Sequence, residues 1–341
     1  MHQRDEILGK QPFDFAVGPL KLRSRAFLAP MAGITDLGMR RAAQRFGAGL
    51  TFTEMLDADC YLGGESEAVL RAEGAGISHH VVQIAGCRPE SLADGARQAE
   101  AAGAAMIDIN MGCPAKRVTG GLAGSALMRD LDLAVRLIHA VVSAVKIPVS
   151  VKMRLGWDAS SLNAPELARR AEAEGVVMLS VHGRTRCQFY QGKADWAAIR
   201  RVKQAASLPV VANGDCTSLA DADAMLRLSG ADAVMIGRGA VGRPWFVGEV
   251  ARHLAGDPPE QGPDAQTRHA VAREHYRTLL DLMGKEHGMR HARKHLAGYA
   301  TYVPRADAAH LRRRLVTSEN PEEVESLLEV LFEFEEAAVA A

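Results

Sequence analysis

The stretch Val210-Val211-Ala212-Asn213-Gly214-Asp215, followed by the helix-prone segment Ala220 to Leu228 and then by Ala233-Val234-Met235-Ile236-Gly237-Arg238, decides the fold. Two apolar runs of strand length flank a segment rich in good helix formers, the pattern of parallel strands joined by a crossover helix. Neither run alternates apolar with polar residues, as expected of strands covered on both faces. The unit recurs upstream, with strand-length runs at Arg25 to Pro30, Leu50 to Thr53, His80 to Ile84, Met106 to Asn110, Val149 to Lys152 and Met178 to His182. Glu90 to Ala102, Leu131 to Val145 and Ala164 to Glu174 are Ala-rich and helix-prone. Eight such units between residues 24 and 240 predict an α/β chain built on a (β/α)8 TIM barrel. A doubly wound sheet would more often carry five to seven strands and a Gly-rich first turn.

Outward from the barrel, Phe13 to Leu22 places Gly18-Pro19 between two apolar stretches, a small hairpin expected to close the barrel's bottom. Ala255-Gly256-Asp257-Pro258-Pro259-Glu260-Gln261-Gly262-Pro263 is a run of turn formers and reads as a linker. From Ala265 the periodicity is helical and strand signals stop. The expected division is therefore a barrel domain with its hairpin over 1–254 and a small all-helical C-terminal domain over 265–341.

With 341 residues, 48% of them hydrophobic and 24% charged, the chain can bury a sizeable core and is not a disordered one. Its 41 basic residues equal its 41 acidic ones, which excludes an overall basic coat. The balance is uneven along the chain: Asp264 to Arg314 holds eleven Lys or Arg against five acids, and Glu319 to Ala341 holds eight Glu and no basic residue. The basic segment can hold a phosphate backbone; a solvated helix face is the alternative. No apolar run approaches the roughly 18 residues of a membrane span and the start is polar, so a cytoplasmic location with no membrane partner is expected. Cys60, Cys87, Cys113, Cys187 and Cys216 are scattered singly, without the paired spacing of a zinc or redox site.

In such barrels function sits where the strands end. Here the strand ends carry Gln83, Asn110, Lys152, His182, Asn213 with Asp215, and Arg238. The glycines of Asn213-Gly214-Asp215 and Gly237-Arg238-Gly239 let backbone N–H groups approach an anion, and Arg238 can add charge-assisted bonds, so a phosphorylated ligand is indicated. The fourth strand runs through Asn110-Met111-Gly112-Cys113-Pro114 into a loop holding Gly120-Gly121 and Gly124-Ser125, expected to be flexible and to close over a substrate. A cysteine thiol, mostly protonated at neutral pH, can serve as general acid or as nucleophile. No triad, close carboxylate pair or HExxH element is present. Asp108 and Asp215 have metal-ligating chemistry, but nothing in their spacing supports a metal, so none is expected. The residues alone leave the reaction open.

The block around Asn110 to Pro114, with Lys116, Gly120-Gly121 and Gly124-Ser125, resembles the signature of the tRNA-dihydrouridine synthases, and the wider pattern resembles their bacterial B-type branch. Further blocks agree in order: Leu28 to Asp36, Thr53-Glu54-Met55, Val82-Gln83-Ile84, Val151 to Gly156, Val181 to Arg186 and Gly237-Arg238. The resemblance implies a flavoprotein that reduces uridine to 5,6-dihydrouridine in the D-loop of tRNA, with FMN as bound cofactor, NADPH as reductant and tRNA as partner. It implies that Pro30, Met31 and Ala32 line the flavin ring, that Gln83, Lys152 and His182 contact it, and that Asn213, Gly214, Asp215, Gly237 and Arg238 surround its phosphate end. Cys113 matches the proton donor to C5, opposite the hydride that N5 delivers to C6. Asn110 and Arg184 are expected at the substrate, and Arg290, Arg293 and Lys294 at the tRNA backbone. No obligate protein partner is implied. Two alternatives stand beside this reading: an FMN barrel acting on a small molecule, of the dihydroorotate dehydrogenase or ene-reductase kind, and an RNA-binding module that has lost catalysis. The basic helical region speaks against the first and the intact Asn110, Cys113 and Lys152 against the second.

Overall fold

The computed structural model describes residues 15–258 and 262–333. Strands β1 (Phe15–Val17) and β2 (Leu20–Leu22) form an antiparallel hairpin. Residues 13 and 14, where the expected hairpin began, and 1–12 and 334–341 of the expected domains lie outside the described residues. The barrel strands are β3 (Ala26–Leu28), β4 (Leu50–Phe52), β6 (His80–Ala85), β7 (Met106–Met111), β8 (Val149–Arg154), β9 (Met178–His182), β10 (Val210–Asn213) and β11 (Ala233–Ile236). A two-residue strand, β5 (Leu56–Asp57), extends pairing along β6. All neighbouring barrel pairs are parallel, and the pairing of β4 with β6 closes the ring. The eight strands read from the sequence are these eight.

Helix α1 (Leu37–Arg45) follows β3, and α2 (Ala58–Leu62) and α3 (Ser66–Ala72) follow β5. The remaining crossovers are α4 (Pro89–Ala101), α5 (Lys116–Gly120), α6 (Leu131–Ala144), α7 (Ala164–Ala173), α8 (Trp196–Ala205), α9 (Leu219–Ser229) and α10 (Phe246–Ala255). Short polar side chains fix several starts: Asp36, Asp130 and Asp195 accept from backbone N–H groups of the first turn, and Ser218 with Asp221 forms a capping box. The segment after β7 carries secondary structure of its own. A 3-10 helix at Gly124–Arg129 buries Ser125, Leu127 and Met128, and Ser125 Oγ donates to the Cys113 carbonyl at 2.8 Å. Gly124 is required there, because its φ is +60° and a Cβ would stand 2.9 Å from the Cys113 carbonyl oxygen.

The barrel interior is divided. Its lower half is an apolar plug of Phe27, Phe52, Val81, Met106, Met178, Val211 and Met235, sealed from below by Val17 and Leu22 of the hairpin. Its upper half is polar and carries the strand-end side chains. Beyond Ala255 the chain forms α11 (Ala265–Met283), α12 (Lys285–Thr301), α13 (Ala308–Thr317) and α14 (Pro321–Glu333), which share a separate apolar core around Tyr276, Leu279, Leu296, Leu315 and Leu328. Ala42 and Trp245 of the barrel belong to that core, and the Trp245 and Tyr299 rings stack with centroids 6.3 Å apart. The glutamates of α14 turn back onto their own domain: Glu325 pairs with Arg273 and Arg277, and Glu323 with Arg314.

Candidate active site

Alternation along the strands decides what points inward. Asp108 and Asn110 of β7 face the interior together, as do Ser150, Lys152 and Arg154 of β8, and all five are buried. Register places Gln83 beside Asp108, Asn110 beside Lys152, and Arg154 beside His182. The side chains then link in a chain. Gln83 Nε2 donates to Asp108 at 2.6 Å, Ser150 Oγ donates to the other Asp108 oxygen at 2.6 Å, and Asn110 Nδ2 donates to Gln83 Oε1 at 2.8 Å. Asn110 Oδ1 in turn accepts from the backbone N–H of Cys113 at 2.9 Å, so the position of the thiol is set from the barrel floor upward.

On the other side Lys152 Nζ donates to Asn213 Oδ1 at 3.1 Å, and Asn213 Nδ2 donates to the Met235 carbonyl at 2.8 Å. Burial lowers the Lys152 ammonium to about 8 and raises the Asp108 carboxyl to about 6. Burial, reinforced by Lys152, Arg154, Arg184 and Arg238, drives His182 down to about 2. Its ring is therefore neutral, a hydrogen-bonding group and not a proton source.

Asp215 adopts φ +58°, a left-handed conformation that aspartate tolerates, and it is held there by charge. Arg184 reaches both of its oxygens, at 2.9 and 2.6 Å, Arg238 donates to one at 3.0 Å, and the Ala194 N–H donates to the other at 2.8 Å. Gly214, at φ +122°, leaves no room for a Cβ, which would sit 2.9 Å from the His182 ring. Four cations (Lys152, Arg154, Arg184, Arg238) thus face two carboxylates (Asp108, Asp215), an excess of two positive charges on one side of the mouth. An anionic ligand is what such an excess accepts. Pro30, Met31 and Ala32 leave β3 at the same rim, where Met31 Sδ lies against Gly237.

The strand-end set expected from the sequence is brought together, but Arg184 is placed differently from its expected role at the substrate. It is fully buried, and its guanidinium is spent on Asp215 and on the carbonyls of Gln191 and Gly192. Arg290, Arg293 and Lys294 lie on α12; Arg290 and Lys294 are exposed, and the Lys294 ammonium rests against Gly33 at the barrel rim. Among the described residues none of the three pairs with an acid. Two participants escape the sequence reading. Arg154, two residues beyond Lys152 and so on the same face, ties the Gly112 carbonyl to those of Thr185 and Phe189, joining the loops after β7 and β9. Exposed Tyr190 stands 6.3 Å from the His182 ring, flanked by Arg154 and Arg238 at 5.5 and 5.2 Å.

A parallel barrel that gathers a thiol, a buried lysine and an excess of cations at its strand ends has the layout of a (β/α)8 enzyme. Residues 27–338 match the family model of dihydrouridine synthase. A probable tRNA-dihydrouridine synthase of Rhizobium leguminosarum bv. phaseoli is 50% identical, over 91% of this chain and 95% of the relative. The tRNA-dihydrouridine synthase B of Xanthomonas campestris pv. campestris is 45% identical over 90% and 92%. The chain belongs to the dihydrouridine synthase family. Among solved structures, the histamine dehydrogenase of Rhizobium sp. 4-9 is similar at TM-score 0.54 and 14% identity, over 78% of this chain and 50% of that one. The old yellow enzyme homologue of Zymomonas mobilis is similar at TM-score 0.51 and 16% identity, over 73% and 94%. These likenesses show the barrel fold. No described helix is long and apolar enough to cross a membrane.

Proposed function

We propose that this enzyme reduces uridine to 5,6-dihydrouridine in the D-loop of tRNA, in the cytoplasm, with FMN as bound cofactor and NADPH as reductant. The observation that carries the reading is the excess of buried and rim cations gathered at the barrel mouth that also holds Cys113. A flavin fits the residues present: among the described residues, buried Lys152 has a single hydrogen-bond acceptor, Asn213, for its three donors. Bound FMN would supply hydride equivalents, taken from NADPH, at its N5.

Gln83, Lys152 and His182 would hold the ring against Pro30, Met31 and Ala32, while the Gly214 and Gly237 loops with Arg238 would hold the phosphate. Lys152 offers positive charge to an electron-rich ring edge inside a low-dielectric pocket, where it is felt more strongly than in water. Asn110, fixed by Gln83, orients the Cys113 N–H and presents an amide edge to a uracil. Cys113, half-buried with its carbonyl held by Ser125, is placed to give the proton that C5 of the base must receive. Arg184 positions Asp215, and through it Arg238, and takes no direct part at the base.

A stacked base has to be extruded to reach a barrel mouth, which requires the rest of the RNA to be held elsewhere. Arg290, Arg293 and Lys294 on α12 would contact the phosphate backbone, and Tyr190 offers an exposed aromatic face at the mouth. The test is anaerobic. The purified protein should show flavin absorption, bleach with NADPH, and regain colour on addition of unmodified tRNA with one dihydrouridine formed per flavin reoxidised. A protein that neither carries nor takes up FMN would overturn the reading in favour of RNA binding without catalysis. Reoxidation by a small molecule but not by tRNA would overturn it in favour of a small-molecule reductase.

A further inference from the structure

A cluster of histidines surrounds Asp36 where the helical domain meets the barrel rim, and the proposed chemistry makes no use of it. Asp36 ends the loop after β3. Its Oδ1 accepts from the Met39 N–H at 3.0 Å and lies 3.0 Å from His275 Nε2. Its Oδ2 is turned the other way, 2.9 Å from His295 Nε2 and 3.5 Å from His291 Nε2. Both rings favour the ionised carboxylate, yet among the described residues Asp36 Oδ2, His291 Nε2 and His295 Nε2 are all buried without a well-aligned hydrogen-bond partner. Three such orphaned atoms at one point are costly unless something satisfies them together.

We propose that Asp36, His291 and His295 are the protein ligands of a divalent metal site, of the kind that takes Zn2+, pinning α12 of the helical domain to the barrel loop at Pro30 to Asp36. The three ligand atoms lie within 4.8 Å of one another. Tetrahedral coordination at about 2.0–2.2 Å sets ligand atoms roughly 3.3–3.6 Å apart, so small side-chain shifts complete the geometry. His291 and His295 are spaced by four and project from one face of α12, as a helix must present two ligands to one ion. Two imidazoles and one carboxylate form an N/O donor set that suits zinc and similar first-row ions better than calcium or magnesium. His291 is the most exposed of the three, at 12% of its side chain, which leaves an approach for water as a fourth ligand.

The surroundings are those of a supported site. His275 bridges the second Asp36 oxygen and the Tyr299 hydroxyl, 3.0 Å from each, and so orients the ligating carboxylate from behind.

The full-length protein, without an affinity tag and stripped by a chelator, should take up one Zn2+ per chain from zinc chloride in competition with a chromophoric chelator. Co2+ in its place should give visible d–d bands, and zinc should raise the melting temperature. His291→Gln and His295→Gln should each weaken zinc uptake by about 100-fold or more, and abolish the cobalt bands. Circular dichroism reports whether each variant is folded. If His295→Gln fails to fold, the more exposed His291→Gln carries the test. Absence of zinc uptake by the folded wild-type protein overturns the proposal, and so does uptake that His291→Gln leaves unchanged.

Discussion

Lys152 and Asn213 meet across the mouth of the barrel, Nζ to Oδ1 at 3.1 Å, joining β8 to β10 over the strand between them. The bond leaves most of the ammonium's donor capacity unused inside the protein, although burial has already pulled its pKa down to about 8. Lys152→Met keeps the aliphatic length and removes the charge. Flavin retention should fall by about ten-fold or more, an effect of about 1.4 kcal/mol, with slower reduction by NADPH in the fraction that binds. Absorption at the flavin bands relative to protein, and the anaerobic half-reaction, read both; unchanged values would remove Lys152 from the cofactor site.

Asp108 is the complementary buried charge, raised by burial to about 6 from an ordinary 3.8. Between those values the folded protein holds a proton that the unfolded chain has released, so this group's contribution to stability falls as pH rises from about 4 to 6. Asp108→Asn removes the penalty. Its amide can accept from Gln83 and donate to Ser150, whose hydroxyl rotates to suit. The melting temperature of the variant relative to wild type should climb across that pH window by a few degrees. A difference that stays flat with pH would show that Asp108 is not the titrating group.

Cys113→Ala should leave flavin content unchanged, because the thiol holds none of the strand-end network; only its backbone N–H and carbonyl are engaged. Turnover should drop by about 10²–10⁴, the range for loss of a positioned proton donor, while reduction of the flavin by NADPH continues. Wild-type turnover in the variant would return the proton-donor role to water.

The strands were legible because burial on both faces leaves unbroken apolar runs, as in Val210 to Ala212 and Ala233 to Ile236; Val149-Ser150-Val151 departs from this, because Ser150 faces the polar interior. Helices such as α1 were less so. Arg40, fully buried there, spends its guanidinium on the carbonyls of Thr35 and Glu73, and a buried arginine obscures an apolar stripe. At the site, polar residues that end strands announced themselves. What adjacency in sequence does not report is pairing in space: Arg184 looked available until Asp215, brought alongside by the next strand, claimed it. Asp36 and His275 are 239 positions apart and touch through the meeting of two domains, which no local pattern encodes.

The same pairing predicts the cost of Asp215→Asn. Asparagine tolerates the left-handed backbone at this position, so the substitution removes charge without adding strain. Arg184, 1% exposed, is left with a buried guanidinium and no counter-ion. Breaking a buried pair from one side costs about 3–5 kcal/mol, and partial exposure of Asp215 reduces this to about 2 kcal/mol. Denaturant unfolding should show that loss. A stability within a few tenths of wild type would mean that the Gln191 and Gly192 carbonyls suffice to hold Arg184.

The basic face of α12 can be separated from basic surface that is already neutralised. Arg290 and Lys294 are exposed without acidic partners among the described residues, whereas Glu325 takes Arg273 and Arg277. Reversing both Arg290 and Lys294 to Glu should weaken tRNA binding and lower the slope of log K against log salt by about 0.7–0.9 for each phosphate that is no longer neutralised. Reversing Arg273 and Arg277 should change that slope little, while costing some stability through Glu325. Filter binding across a salt series measures all of these, and equal slopes for the two double variants would mean that α12 is not the face the RNA meets.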